Sequence, residues 1–157
     1  MNYTELQTKE TIDFLSEDFL NEYEDFPSNM NALGKFVYLR TYSRYLPEKG
    51  RRETWKETCK RAVNYNLSLA YHHLAKAKQS INYSALVNEA KRLFHSMYNL
   101  QQFLSGRTLW VGGAESGVAN KYPLANFNCS FTTVRSFDDV ADIFYLLLVG
   151  KNNLCRL

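Results

Sequence analysis

The sequence predicts an α/β chain, mainly helical over residues 1–106 and then opening into a strand–helix unit. Three observations carry that reading. Apolar residues recur at three- and four-residue spacing as far as Leu104, the period changes after Gly106, and a strict alternation over 125–134 runs directly into an amphipathic helix. The 157 residues amount to one domain, 45% hydrophobic and 22% charged, with 7 Gly and 3 Pro. That composition excludes disordered, collagen-like and low-complexity classes.

Each element has its own warrant. Thr8 to Tyr23 carries Ile12, Phe14, Leu15, Phe19 and Leu20 as a helical stripe in acidic surroundings, and Phe26-Pro27-Ser28-Asn29 breaks it. Phe36 to Tyr42 is β-prone and fits a short strand or a turn of helix, with strand favoured. Leu46 to Gly50 is a turn. Glu53 to Leu69 is a helix with Trp55, Cys59, Ala62 and Val63 on one face. Tyr83 to Leu104 is the clearest helix, with Leu86, Ala90, Leu93, Met97, Leu100 and Leu104 in register and Gly106 as its stop.

Arg107 to Val111 reads as β-like. Ala125 to Val134 is a strand with Ala125, Phe127, Cys129 and Phe131 on one side and Asn126, Asn128, Ser130 and Thr132 on the other. Ser136 and Asp139 resemble a capping box opening a helix to Val149, with Asp138, Asp139 and Asp142 suited to its N-terminal dipole. Its apolar face is Val140, Ile143, Phe144, Leu147 and Leu148, and Gly150 ends it. Lys151 to Leu157 does not begin a second strand. A single strand–helix unit needs neighbours on both sides, so the patterning reads as the front of something larger.

No apolar run approaches the ~18 residues of a membrane span. The N-terminus lacks the basic and apolar regions of a secretory signal. The expected compartment is therefore cytoplasmic, with Cys59, Cys129 and Cys155 reduced. A net charge of +3 is too mild to argue for nucleic acid. Aromatic content of 15% predicts a large apolar surface, buried or awaiting a partner.

Among chemistry-bearing residues, Cys129 sits mid-strand between Asn128 and Ser130, where a cysteine is ordinarily a small buried hydrophobe. No sequence neighbour would lower its pKa. Cys59 has core spacing. His72 and His73 diverge by ~100° on a helix and do not share a metal readily. No Cys/His cluster has zinc spacing. The glycine stretch Val111–Gly117 lacks the Gly-Lys-Ser/Thr ending of a phosphate loop and reads as a turn, with an anion-binding arrangement of N–H groups as the alternative. Arg40, Arg44, Lys49, Arg51 and Arg52, interleaved with Tyr38, Tyr42 and Tyr45, resemble a nucleic-acid surface. They fit equally a solvated face paired with the acidic first helix.

Arg107-Thr108-Leu109-Trp110-Val111-Gly112-Gly113 and Ala125-Asn126-Phe127-Asn128-Cys129-Ser130-Phe131 resemble the beginning of the catalytic barrel in adenosylcobalamin-dependent (class II) ribonucleoside-triphosphate reductases. Leu39 to Arg44, Arg52 to Trp55 and the helix running to Arg107 resemble that family's N-terminal region, so the likeness spans roughly residues 26 to 150. It implies a helical region over 1–106, the start of a ten-stranded α/β barrel over 107–150, and a non-family tail over 151–157. It also implies a reaction: replacement of a ribonucleotide 2′-hydroxyl by hydrogen, which supplies DNA precursors. In that family cobalamin homolysis generates a thiyl radical on a finger-loop cysteine, and a cysteine pair supplies the reducing equivalents.

Cys129 matches the first-strand member of that pair, with Asn128 and Ser130 beside it as substrate-contacting candidates. The resemblance further implies adenosylcobalamin as cofactor, a ribonucleoside triphosphate as substrate, and thioredoxin or a similar dithiol as reductant. The other cysteines, the effector site and the cobalamin-binding segments have no match here. The expectation is an N-terminal piece, inactive alone, completed in one setting by a complementary reductase chain. Two alternatives stand beside it: a non-catalytic helical assembly module derived from a reductase, and, less favoured, a nucleic-acid-binding domain. Neither membrane nor direct nucleic-acid partners are expected.

Overall fold

A computed structural model describes residues 10–114, 117–122, 129–148 and 152–156. The chain runs α1 (Glu17–Leu20), α2 (Ala32–Thr41), β1 (Tyr45–Leu46), a 3-10 turn (Pro47–Lys49), β2 (Arg51–Arg52), α3 (Trp55–Lys76), α4 (Tyr83–Tyr98), α5 (Gly106–Val111), α6 (Val118–Lys121), β3 (Cys129–Thr133), α7 (Phe137–Leu148) and β4 (Asn152–Arg156).

The long pair α3 and α4 forms the centre. Thr54 and Glu57 close a full capping box at the start of α3: the Glu57 N–H donates to Thr54 Oγ1, and Thr54 N–H donates to the Glu57 carboxylate. Asn82 caps α4 by accepting from Ala85 N–H at 3.0 Å. Cys59, Ala62 and Val63 of α3 meet Ala90, Phe94 and Met97 of α4, all wholly removed from solvent. Around them Phe19, Tyr23, Phe94 and Tyr98 form a ring cluster with centroids 4.9–5.9 Å apart. The Trp55 indole N–H donates to the Tyr98 carbonyl at 3.1 Å, which satisfies a carbonyl at the C-terminal end of α4.

Several sequence expectations are corrected here. The helix expected over Thr8–Tyr23 shrinks to Glu17–Leu20, with Thr8 and Lys9 outside the described residues. The backbone N–H groups of Ile12 and Phe14 go to Ser68 Oγ at 2.8 Å and Asn64 Oδ1 at 3.2 Å on α3, not to carbonyls of their own turn. The apolar stripe is nonetheless buried, with Phe14, Leu15 and Leu20 in the core. Phe36–Thr41 is helical in α2, with Tyr42 as its C-cap, and is not a strand. Asn31 caps it by accepting from Gly34 N–H at 2.7 Å, and one side chain, Tyr38, is buried. The β-prone Phe36 and Val37 face solvent, so their propensity decides nothing.

Helix α4 ends at Tyr98 rather than Leu104. Leu100 takes φ +60°, its N–H donating to the Met97 carbonyl while Gln101 N–H reaches back to Ser96. That is a Schellman closure on a residue that is not glycine. Gly106 consequently opens α5 rather than stopping α4, and Arg107–Val111 is helical, not β-like; Ser105 caps it through Thr108 N–H at 3.2 Å. Finally, residues 152–156 do form a strand. β4 pairs in parallel with β3, matching Cys129 to Asn152 and Thr133 to Arg156, with α7 as the crossover. Parallel pairing engages backbone groups along β3, a gain that the polar start Asn152-Asn153 hides from pattern reading.

Other expectations agree with the structure. Helix α3 covers Trp55 to Leu69 and continues to Lys76, and α7 lies within the predicted span. The described part of the predicted 125–134 strand begins at Cys129; residues 123–128 lie outside the described residues.

The exposed end of α3 repeats the αL device: Lys78 has φ +53°, with Lys78 N–H on Ala75 and Gln79 N–H on Leu74. A β-carbon in that region costs about 1–2 kcal/mol. Replacing Lys78 by Gly should therefore raise stability by about 1 kcal/mol, read as a higher thermal midpoint, whereas Gly at any neighbouring helical position should lower it.

Candidate functional site

A buried carboxylate organises the face where α2, the β1–β2 hairpin, α3 and α5 meet. Glu53 is 3% exposed. Arg61 of α3 forks onto it, Nε to Oε1 at 2.7 Å and Nη2 to Oε2 at 2.9 Å. Thr58 Oγ1 donates to Oε2 at 2.8 Å and Arg44 N–H at 3.2 Å, so both oxygens are engaged. The same guanidinium donates to the carbonyls of Gly112 at 2.6 Å and Leu109 at 2.9 Å, tying the end of α5 to α3. The Tyr38 hydroxyl lies 2.8 Å from both the Thr54 carbonyl and Thr58 Oγ1, and Ser43 Oγ donates to the Glu53 carbonyl at 2.8 Å. Burial raises the Tyr38 phenol well above its ordinary range, more than its hydrogen bonds to Thr58 and Ser43 lower it, so it stays a neutral donor.

This explains the glycine stretch. A β-carbon on Gly112 would sit 2.7 Å from the Thr108 carbonyl oxygen and 2.8 Å from the Tyr65 ring. Gly113 combines φ +64° with close approach to Tyr65 and Arg61. Between the two readings left open, Gly112-Gly113 is a packing turn against α3; Glu115 and Ser116 lie outside the described residues.

The basic cluster divides. Lys49 and Arg51 do not form part of a nucleic-acid surface: both bind Glu57, at 2.6 and 2.8 Å. Arg44 and Arg52 remain near Trp110, with Arg44 and Arg107 each 5.4 Å from the Trp110 ring centre. His72 is half-buried against the Glu10 carbonyl and His73 is exposed. Among the described residues no group of His, Cys, Asp and Glu could hold a metal ion.

Cys129 is exposed, at the start of the described part of β3, rather than a buried hydrophobe. Asn128 lies outside the described residues; Ser130 is in β3, next along the strand. Cys59 is buried, and burial pushes its thiol well up despite Arg61 nearby, which makes it inert. The register pairs Cys155 with Thr132, three residues along from Cys129. That is about 10 Å of strand, beyond disulfide reach. Beside this sheet α7 buries Ile143 but leaves Phe137, Phe144, Tyr145, Leu147 and Leu148 exposed.

Sequence reasoning missed the Glu53–Arg61 pair and the Thr54–Glu57 box. The second was visible as Thr-x-x-Glu ahead of an apolar-periodic run. The first carries no local signal, because an eight-residue spacing across a helix start is not a motif.

Glu57 gives a pH prediction. Burial raises its carboxyl, but hydrogen bonds from Arg51 and Lys49 and the Thr54 N–H outweigh that and bring it from 4.5 down to about 2. A depressed folded value means that its stabilisation is complete above 4.5 and is lost as pH falls from there through about 2. Glu57→Gln keeps the capping hydrogen bond and drops the charge. Acid-denaturation curves of the variant should be flatter than wild type across that window, with little difference in shape above it.

The ribonucleotide reductase alpha domain model matches residues 15–114. An adenosylcobalamin-dependent ribonucleoside-triphosphate reductase of Lactobacillus acidophilus is 35% identical over 122 residues, covering 77% of this chain and 16% of that protein. Its namesake from Lacticaseibacillus paracasei is 38% identical over 123 residues, with the same two shares. A crystal structure of a B12-dependent (class II) ribonucleotide reductase superposes with a TM-score of 0.64 at 34% identity, covering 77% of this chain and 17% of that one. The chain thus spans about a sixth of the length of these relatives. The match includes Glu53, Arg61 and the Gly112 turn, and on it the chain belongs to the ribonucleotide reductase alpha-domain family.

Proposed function

We propose that this chain is the N-terminal part of a ribonucleoside-triphosphate reductase, with residues 1–106 as its helical region and 107–150 as the start of its catalytic barrel. The observation that carries the reading is the 122-residue likeness to reductases of that name, paralleled by the structural match at TM-score 0.64. In the overall change a ribonucleoside triphosphate and two thiols give a 2′-deoxyribonucleoside triphosphate, water and a disulfide. Cys129 is assigned one of the two thiols. Its sulfur gives up hydrogen and joins a second cysteine sulfur from elsewhere in the enzyme, and the 2′-oxygen leaves as water. A dithiol such as thioredoxin then restores both thiols. Two features support the assignment. Cys129 is accessible, as a thiol exchanging with a reductant must be, and a strand is a rigid mount for a group that must meet a sugar and a partner sulfur. Asn128 and Ser130 are the neighbours assigned to substrate contact.

The relatives are named for adenosylcobalamin. The described residues of this chain do not fit that group: the grooves are lined by Glu53, Arg61 and Glu57, which are engaged in ion pairs, by the cationic wall of Arg40, Arg44 and Arg52, and by an apolar strip near Leu33 and Phe103. No step is derived through it. The exposed apolar side chains of α7 support a reading in which further layers of the enzyme cover that helix.

Two measurements test the proposal. The 157-residue chain with adenosylcobalamin and a dithiol should form no deoxyribonucleotide over many turnovers, because it provides one assigned thiol where the reaction consumes two. A chimera of the Lactobacillus acidophilus reductase carrying residues 15–148 of this chain in place of its own segment should turn over with a dithiol. Cys129→Ser in the chimera should abolish that turnover and leave triphosphate binding intact, since the serine keeps the shape and loses the electrons. Equal turnover by the serine variant would remove Cys129 from the reaction.

A further inference from the structure

Ion pairs in the described structure take up most of the basic side chains around α3: Lys49 and Arg51 on Glu57, Lys56 on Asp25, Lys60 on Asp13 and Glu17, Arg61 on Glu53. Arg40, Arg44 and Arg52 form no ion pair among the described residues, and they line the same groove. Thr41, Ser43, Tyr45 and Trp110 complete its wall, and no acidic residue does. The nearest carboxylate, Glu53, has both oxygens committed to Arg61, Thr58 and the Arg44 backbone. Three guanidiniums thus share a groove whose one neighbouring carboxylate, acting on Arg44, is already committed to Arg61, a juxtaposition that costs free energy unless an anion joins them.

The arrangement is also ordered in advance. Arg44 Nε donates to the Tyr42 carbonyl at 3.3 Å and Nη2 to the Thr41 carbonyl at 3.1 Å, with the guanidinium over Trp110. Its other N–H groups have no protein acceptor among the described residues. Arg52 is anchored by one N–H on the Ser43 carbonyl at 2.9 Å, and the Arg40 guanidinium lies 5.9 Å from the Phe36 ring centre. Burial, then the charges of Arg61 and Arg52, hold the Arg44 guanidinium below its ordinary value against the opposing pull of Glu53. Planar forked donors match phosphate oxygens bidentately. Two aromatic rings stand at the same groove with exposed area, Tyr45 at 59% and Trp110 at 38%.

We propose that the groove walled by Arg40, Arg44, Arg52 and Trp110 binds a nucleoside triphosphate, its phosphates on the three guanidiniums and its base against Trp110 and Tyr45. The site uses none of the residues assigned to reduction, so its test is separate from that of Cys129.

The 157-residue chain is titrated at low salt with ATP and with inorganic tripolyphosphate, read by calorimetry and by tryptophan emission. Trp55 is buried, so emission changes report Trp110. Both probes should bind at one site and weaken with added salt. Arg40→Ala and Arg52→Ala should each weaken binding about tenfold, the loss of one charge-assisted contact. Lys76→Ala, an equal charge change at an exposed position outside the groove, should stay within about twofold. ATP should bind more tightly than tripolyphosphate, and Trp110→Leu should erase that difference. Arg40 makes no hydrogen bond to the Glu53 cluster, so its variant tests the groove with the fold undisturbed. Absence of saturable binding by either probe, or a Lys76→Ala loss equal to that of the arginine variants, would overturn the site. Tripolyphosphate binding as tightly as ATP would overturn its assignment to a nucleotide.

Discussion

One buried carboxylate, Glu53, ties together the elements that surround it. Removing a carboxylate from water costs several kcal/mol, and its attraction to one partner repays that only when the geometry is close and every lone pair is used. Here the requirement is met by donors from separate stretches of chain: Arg61 and Thr58 from α3 and the Arg44 backbone from the approach to β1. Satisfying one residue therefore ties the start of α3 to the approach to β1. Arg61 then extends the constraint to the end of α5, because its remaining donors hold the Leu109 and Gly112 carbonyls there. The close seat of Gly112 on Tyr65 and Thr108 follows from that tether. Arg44 and Arg52 share one groove beside it.

Legibility in the sequence follows the range of the signal. Helices α3, α4 and α7 are readable because their apolar faces are long and periodic, and Cys59, Ala62, Val63, Ala90 and Met97 occupy the core positions that the period assigns. The failures are local conformations decided by distant partners. Residues 12–14 are drawn out of a helix by Ser68 and Asn64, which lie 56 and 50 residues away. Leu100 takes a left-handed conformation that composition reserves for glycine, and with it the end of α4 moves back and Gly106 passes to the start of α5. Strand β4 begins with two asparagines and is shown only by its pairing with β3.

The candidate site shows the same division. Cys129 is legible as the notable residue of its strand, and its resemblance to a reductase segment rests on the order of flanking segments rather than on its surroundings. Its exposure is not legible, because alternation places it on the apolar side. The arginine cluster is legible as a group, but the sequence does not separate members that serve the fold from members that do not. Glu57 claims Lys49 and Arg51 and leaves the groove arginines unclaimed. That separation changes the meaning of the cluster from a broad nucleic-acid face to a compact anion site.

A double-mutant cycle on Glu53 and Arg61 measures whether the buried pair acts as one unit. Glu53→Gln, Arg61→Met and the double variant would be compared with wild type by denaturant unfolding. If the pair is the pin described here, each single change leaves a buried charge without its partner and costs about 3–5 kcal/mol, while the double variant recovers a large part of the sum, a coupling of about 2 kcal/mol or more. Additive losses, with no coupling between the two positions, would contradict the account.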